Sequence, residues 1–185
     1  SEAGGHPFAT IQQLAAHMIE QTRQTLPGRV IWACGDGQFA TRDVVAALDQ
    51  RADLVSRIRA DAALYELPKP PRTKQRGRPR KKGKRLPTPQ TMAKRRRKGW
   101  RTITVRKGNR LVQRQVLSII CLWYHVCRDR PIKLLIVRDP TGKQADDFLL
   151  CTDPTTRNVN IVERFYARWT IEEAIRDGKQ LDGFE

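Results

Sequence analysis

The chain has 185 residues and a formal net charge of +17, from 36 Lys plus Arg against 19 Asp plus Glu. That length holds one sizeable core, or one core with an insertion. No apolar run reaches the ~18 residues of a helical membrane span, no signal-peptide pattern opens the chain, and the four cysteines form no Cys-x-x-Cys pair, so a disulfide scaffold is excluded and a reduced, cytosolic compartment is expected.

The distribution of charge says more than its sum. Between Leu67 and Arg128 lie 21 Lys plus Arg and no Asp or Glu, leaving 15 basic against 19 acidic residues elsewhere. An ordinary, slightly acidic fold is thus interrupted by a strongly basic block, which predicts a polyanion partner. The bland alternative is a solvated run that keeps the chain soluble.

In chain order, Pro7 to Leu26 reads as a helix with Ile11, Leu14, Ala15, Met18 and Ile19 on one face, stopped by Pro27-Gly28. Val30-Ile-Trp-Ala-Cys34 then gives a buried strand ending in Gly35-Asp36-Gly37, expected at the centre of an α/β sheet with Asp36 at its C-terminal end. A helix follows, N-capped by Thr41, and then a strand from Asp53 to Arg59. The first third therefore reads helix, strand, helix, strand.

Pro and Gly punctuate the basic block, and no apolar period appears before Trp100, so Pro68 to about Lys98 is expected to be loop or disorder. Within it, Arg76-Gly-Arg-Pro79 resembles the core of an AT-hook, whose flat Arg side chains lie in a narrow minor groove. A loop touching phosphates without sequence preference fits equally well. The expected DNA contacts are Arg76, Arg78, Lys81, Lys82, Arg95, Arg96 and Arg97. From Arg101 the pattern becomes a hairpin, with a turn at Lys107-Gly-Asn-Arg and a strand from Leu111 to Trp123. Cys121 and Cys127 flank His125, a poor zinc spacing without a fourth ligand. Two apolar strands, Lys133 to Val137 and Asp147 to Cys151, surround a turn at Pro140-Thr-Gly.

The last helix, Ile161 to Lys179, carries the chemistry. At ~100° per residue, Phe165, Arg168, Glu172 and Lys179 fall in a stripe about 60° wide, bordered by Ile171 and Ile175. A carboxylate flanked by cations on a partly buried face suits a site holding a metal ion and a phosphate together. An intrahelical ion-pair ladder between Arg168 and Glu172 is the simpler alternative. Two-metal phosphoryl transfer needs acidic groups holding ions ~3.5–4 Å apart, and Asp36 between two glycines is placed to supply one of them. Asp153 also ends an apolar strand, but Asp before Pro reads better as a turn residue. Glu173 lies about 100° off the stripe, and Asp43 and Asp177 read as solvated helix residues.

The spacing of Phe165, Arg168, Glu172 and Lys179 resembles the Tyr-x2-Arg-x3-Glu-x6-Lys signature of DDE transposases of bacterial insertion sequences. Arg168, Glu172 and Lys179 match it, and Phe165 stands in the tyrosine position without its hydroxyl. The resemblance implies an RNase H-like α/β core, in two parts at 1–66 and 129–185, around a basic, partly β insertion at 67–128. It also implies Asp36 and Glu172 as catalytic metal ligands for Mg2+ (or Mn2+), and Arg168 and Lys179 as binders of transposon-end phosphates. For Phe165, stacking on a base or sugar and packing in the core both stand. The implied partners are transposon-end and target DNA, with a homodimer forming on DNA near the bacterial nucleoid. The first acid of such enzymes lies on an earlier strand, and none precedes His6, so a C-terminal catalytic fragment with poor cleavage on its own is expected. Two rivals remain: a non-enzymatic nucleic-acid-binding protein acting through the basic loop, and a structure-selective nuclease that needs the acids but not the Arg168 and Lys179 spacing.

Overall fold

The computed structural model describes residues 9–48, 51–69 and 80–181, with only the backbone described over 170–181. Helix α1 spans Ile11–Thr25 and begins in a capping box: Gln13 donates its N–H to Thr10 Oγ1 at 3.2 Å, while Thr10 N–H reaches Gln13 Oε1 at 2.9 Å. Strand β1 (Ile31–Gly35), helix α2 (Arg42–Ala46) and strand β2 (Ala52–Arg57) follow. Thr41 caps α2 as expected, accepting from Val44 N. Next come α3 (Pro89–Arg95), β3 (Arg101–Lys107), β4 (Arg110–Leu122), the short α4 (Tyr124–Cys127), β5 (Pro131–Arg138), β6 (Asp147–Cys151) and α5 (Asn158–Leu181).

All six strands form one mixed sheet in the order β1-β2-β6-β5-β4-β3. Only β1 and β2 run parallel; every other neighbouring pair is antiparallel. The hairpin of β3 and β4 is not a detached module. Strand β4 pairs with β5 from Gln115↔Arg138 to Leu122↔Pro131, which joins the basic half of the chain to the same sheet.

Period-two alternation divides the strand side chains between two cores. Leu54, Ile132, Leu134, Ile136 and Leu150 face one, together with Ile19 of α1, Val44 of α2, Met92 and Ala93 of α3 and Val126 of α4. Val55, Leu135, Val137, Leu149 and Cys151 face the other, against Ile161, Val162, Phe165 and Tyr166 of α5. Helix α5 touches both edge strands, β1 and β3, so the sheet curls around it.

Three expectations are corrected. Strand β1 is not central; it forms an edge of the described sheet and is mostly half-buried. An apolar run reports burial by layers above and below, and is blind to which strand pairs at its side. The stripe on α1 is only partly used: Ile19 is buried, whereas Ile11, Leu14 and Met18 are exposed. Within the described part of the basic block, 80–98 is not all loop: the strip Leu64–Glu66 pairs with 83–86. Leu86 N bonds Leu64 O at 2.8 Å, and Glu66 N bonds Lys84 O at 2.8 Å. Helix α3 then forms with Thr88 as N-cap and Pro89 in its first turn, burying Pro89, Met92 and Ala93. Arg76 and Arg78 lie outside the described residues.

Candidate active site at the β1–α5 seam

Asp36 follows directly on β1, and the chain folds tightly around it. Gln38 N donates to Asp36 Oδ1 at 2.9 Å, and Ser56 Oγ, at the end of the neighbouring parallel strand, donates to the Asp36 carbonyl at 2.5 Å. Gly35 lets the turn close tightly: a Cβ at that position would sit 3.0 Å from the Phe39 side chain, which would have to give by a few tenths of an ångström. The second carboxylate oxygen of Asp36 has no hydrogen-bond or ion-pair partner among the described residues. A half-buried carboxylate held by one oxygen, with the other unengaged and glycines on both sides, fits a ligand to a divalent cation.

Helix α5 lies along the same side of β1. The Arg164 guanidinium carbon is 3.8 Å from the centroid of the Trp32 ring. Two residues further along the strand, burial pushes the Cys34 thiol up, while the charges of Arg164 and then Arg168 pull it back down. Arg168 is half-buried, and its guanidinium approaches Phe165 (5.6 Å) and Trp169 (4.9 Å). Arg57, at the end of β2, sits over the Phe165 ring at 5.4 Å and pairs with Asp147 at 2.9 Å. The seam between β1 and α5 therefore carries the cations Arg164 and Arg168.

Phe165 itself is 1 % exposed inside the second core. Of the two roles open to it, the ring takes the packing one, and at this burial it offers no face for stacking on DNA. Tyr166 faces the β3–β4 hairpin instead: Arg114 Nε donates to its hydroxyl at 3.0 Å, and Arg114 also lies 3.6 Å from Asp139. Glu172 and Lys179 belong to the backbone of α5, but their side chains are outside the described residues. Among the described residues, no group of three or more His, Cys, Asp or Glu is arranged to hold a metal, and no helix is long and apolar enough to cross a membrane.

The remaining sequence-predicted contacts separate by location. Arg95, Arg96, Arg97 and Lys81 are exposed. Lys82 is turned inward, its Nζ 4.0 Å from the Tyr65 ring centroid and 5.2 Å from that of Tyr124, a cation–π clasp that pins the basic strip to the core. Asp153 is a turn residue, since Thr155 and Thr156 hydroxyls donate to its two carboxylate oxygens. It borders a cleft of about 440 Å³ with Trp32, Asp53, Arg130 and Thr152. That cleft lies at the start of β1 and β2, away from Asp36. Burial raises Asp53 there, against the lowering effects of a Thr152 hydrogen bond and the Arg130 charge.

Sequence reasoning passed over Trp32, Arg164 and Ser56. Arg164 stands one helical turn before Arg168, so the same i,i+4 spacing marks it; nothing local marks the strand residues.

The family model described as DDE superfamily endonuclease matches residues 3–111, more than half of the chain. The match takes in Asp36 and the basic segment and ends before α5. No curated protein and no solved structure matches. A strand-end carboxylate held ready beside a cation-bearing helix agrees with that match, and the chain belongs to the DDE superfamily endonuclease family.

Proposed function

We propose that this chain is the catalytic portion of a DDE transposase with an RNase H-like core, of the insertion-sequence group whose helix signature it carries. Such an enzyme cuts DNA at transposon ends and joins the 3′ hydroxyl to target DNA. Asp36 and Glu172 would hold Mg2+ or Mn2+, and Arg168 and Lys179 would bind the phosphates of the transposon end. A metal held there would supply the positive charge that makes an attacking oxygen more nucleophilic and a leaving oxygen more stable.

The observation that carries this reading is the way α5 follows β1. A step of two residues along a strand covers ~6.6 Å, and a step of four along a helix covers ~6 Å. Trp32 is level with Arg164, and Cys34 feels Arg164 and Arg168. Continued one step, past the end of β1 at Gly35, the same progression would bring Asp36 towards Glu172, the two acids the chemistry needs together.

Within that site, the chain's own residues have separate tasks. Gln38 N and Ser56 Oγ fix the Asp36 carboxylate and carbonyl before any ligand arrives. Arg168 and Arg57 supply positive potential for a phosphodiester beside the acids.

Manganese titration followed by electron paramagnetic resonance tests the reading. Asp36→Asn and Glu172→Gln should each weaken Mn2+ binding by about tenfold or more, with DNA affinity largely kept. If both variants bind Mn2+ as the parent does, the two carboxylates share no metal and the reading fails. DNA binding that survives alone would then favour a non-catalytic nucleic-acid-binding protein.

A further inference from the structure

The run Lys94–Lys98 puts five cations in succession on the surface at the end of α3. All five side chains are exposed, and no carboxylate among the described residues pairs with any of them. Lys94 and Arg95 complement the carbonyl end of α3. Arg96, Arg97 and Lys98 lie beyond the helix, so its dipole gives no account of them.

The backbone under these cations is held from two remote points. Arg138, at the end of β5, donates from Nη2 to Ala93 O at 2.9 Å, and its guanidinium lies 4.2 Å from the Trp100 ring centroid. Trp100 in turn donates its indole N–H to Arg96 O at 2.8 Å. Asp146 fixes the guanidinium with two hydrogen bonds, at 2.9 Å and 2.6 Å. Both carboxylate oxygens of Asp146 are thereby engaged by Arg138. Five like charges repel each other when the run is fixed in one conformation, and a rigid mount for them makes sense only against a polyanion.

We propose that residues 94–98 are a preshaped arm that grips the phosphate backbone of duplex DNA, and that Arg138, Trp100 and Asp146 are its positioning residues. The inference rests on the endonuclease reading for its choice of DNA. The arm reads backbone and not bases, since it offers charge without a groove-filling element. Its mount lowers the ordering penalty that a loose basic loop meets on binding.

The test is the affinity of the chain for a mixed-sequence DNA duplex across a series of salt concentrations. Changing Arg95, Arg96 and Arg97 together to Ala should lower the log–log salt slope by about 2 to 3. Asp146→Asn raises the net positive charge by one, so a charge-only account expects equal or tighter binding. The mount account expects binding weakened by about three- to tenfold with the salt slope kept. Trp100→Phe, which removes the indole donor and keeps an aromatic ring beside Arg138, should weaken binding in the same direction, and it replaces Asp146→Asn should that variant fail to fold. Binding by the parent chain that the triple Ala change leaves untouched would overturn the arm and leave the active-site reading standing. Weakening absent in the variants of the mount would overturn the positioning role. No duplex binding by the parent chain at all would overturn both.

Discussion

Arg164 sits over Trp32 with its guanidinium carbon 3.8 Å from the ring centroid, yet its Nη1 is buried without a hydrogen-bond acceptor among the described residues. The two effects oppose each other. A desolvated cation–π contact contributes about 1–2 kcal/mol, and a buried donor left unsatisfied costs about 1–3 kcal/mol. Arg164→Met should therefore change stability by no more than about 1 kcal/mol, measured by urea unfolding. Trp32→Ala leaves the guanidinium with neither ring nor acceptor, and a loss of about 2–3 kcal/mol is expected. Equal losses from both changes would show that the ring contact alone governs this seam.

Phe165 is enclosed by the second core, so its ring matters through volume. Phe165→Ala should cost about 3–5 kcal/mol, seen as a lower urea midpoint. A loss below about 1 kcal/mol would mean that α5 does not seat on the sheet as described.

Gly83 passes under the strip at Glu66 and Leu67. A Cβ there would lie 2.7 Å from Leu67 O and 2.8 Å from Glu66 O, both backbone atoms that cannot step aside. Gly83→Ala should destabilise by about 1–3 kcal/mol and release the Lys82 clasp. Hydrogen exchange over residues 80–86 would report the loosening.

Asp139 gives a pH signature. Hydrogen bonds from the Thr141 side chain and backbone, joined by the Arg114 charge, hold its carboxyl below the ordinary 3.8. Below 3.8 the unfolded chain takes up this proton first, so stability falls as pH drops through the folded-state value. Above the ordinary value the contribution is complete. Asp139→Asn should flatten that acid limb in melting curves recorded against pH, and an unchanged limb would assign the acid loss to other carboxylates.

The strands were readable in advance because each couples an apolar run to a turn. Asp147–Cys151 was expected residue for residue, and the Gly108-Asn109 turn set the hairpin register, Lys107↔Arg110. Helix α3 was missed since only three of its seven residues enter the core and its order depends on Arg138 and Trp100, which no local pattern connects to it. At the site, glycine flanks mark Asp36 and helical spacing marks the stripe of α5, whose Glu172 and Lys179 side chains lie outside the described residues. The edge position of β1 was not, because pairing partners come from distant sequence.

The four thiols differ in access. Cys121 is pushed up to about 12, Cys127 and Cys151 to about 11, and all three are buried, whereas Cys34 is half-exposed between the strand and the two arginines of α5. An alkylating fluorophore therefore has a single native foothold, on the seam itself. Without any engineered label, its emission would report on the packing of helix against sheet as ions or oligonucleotides are added.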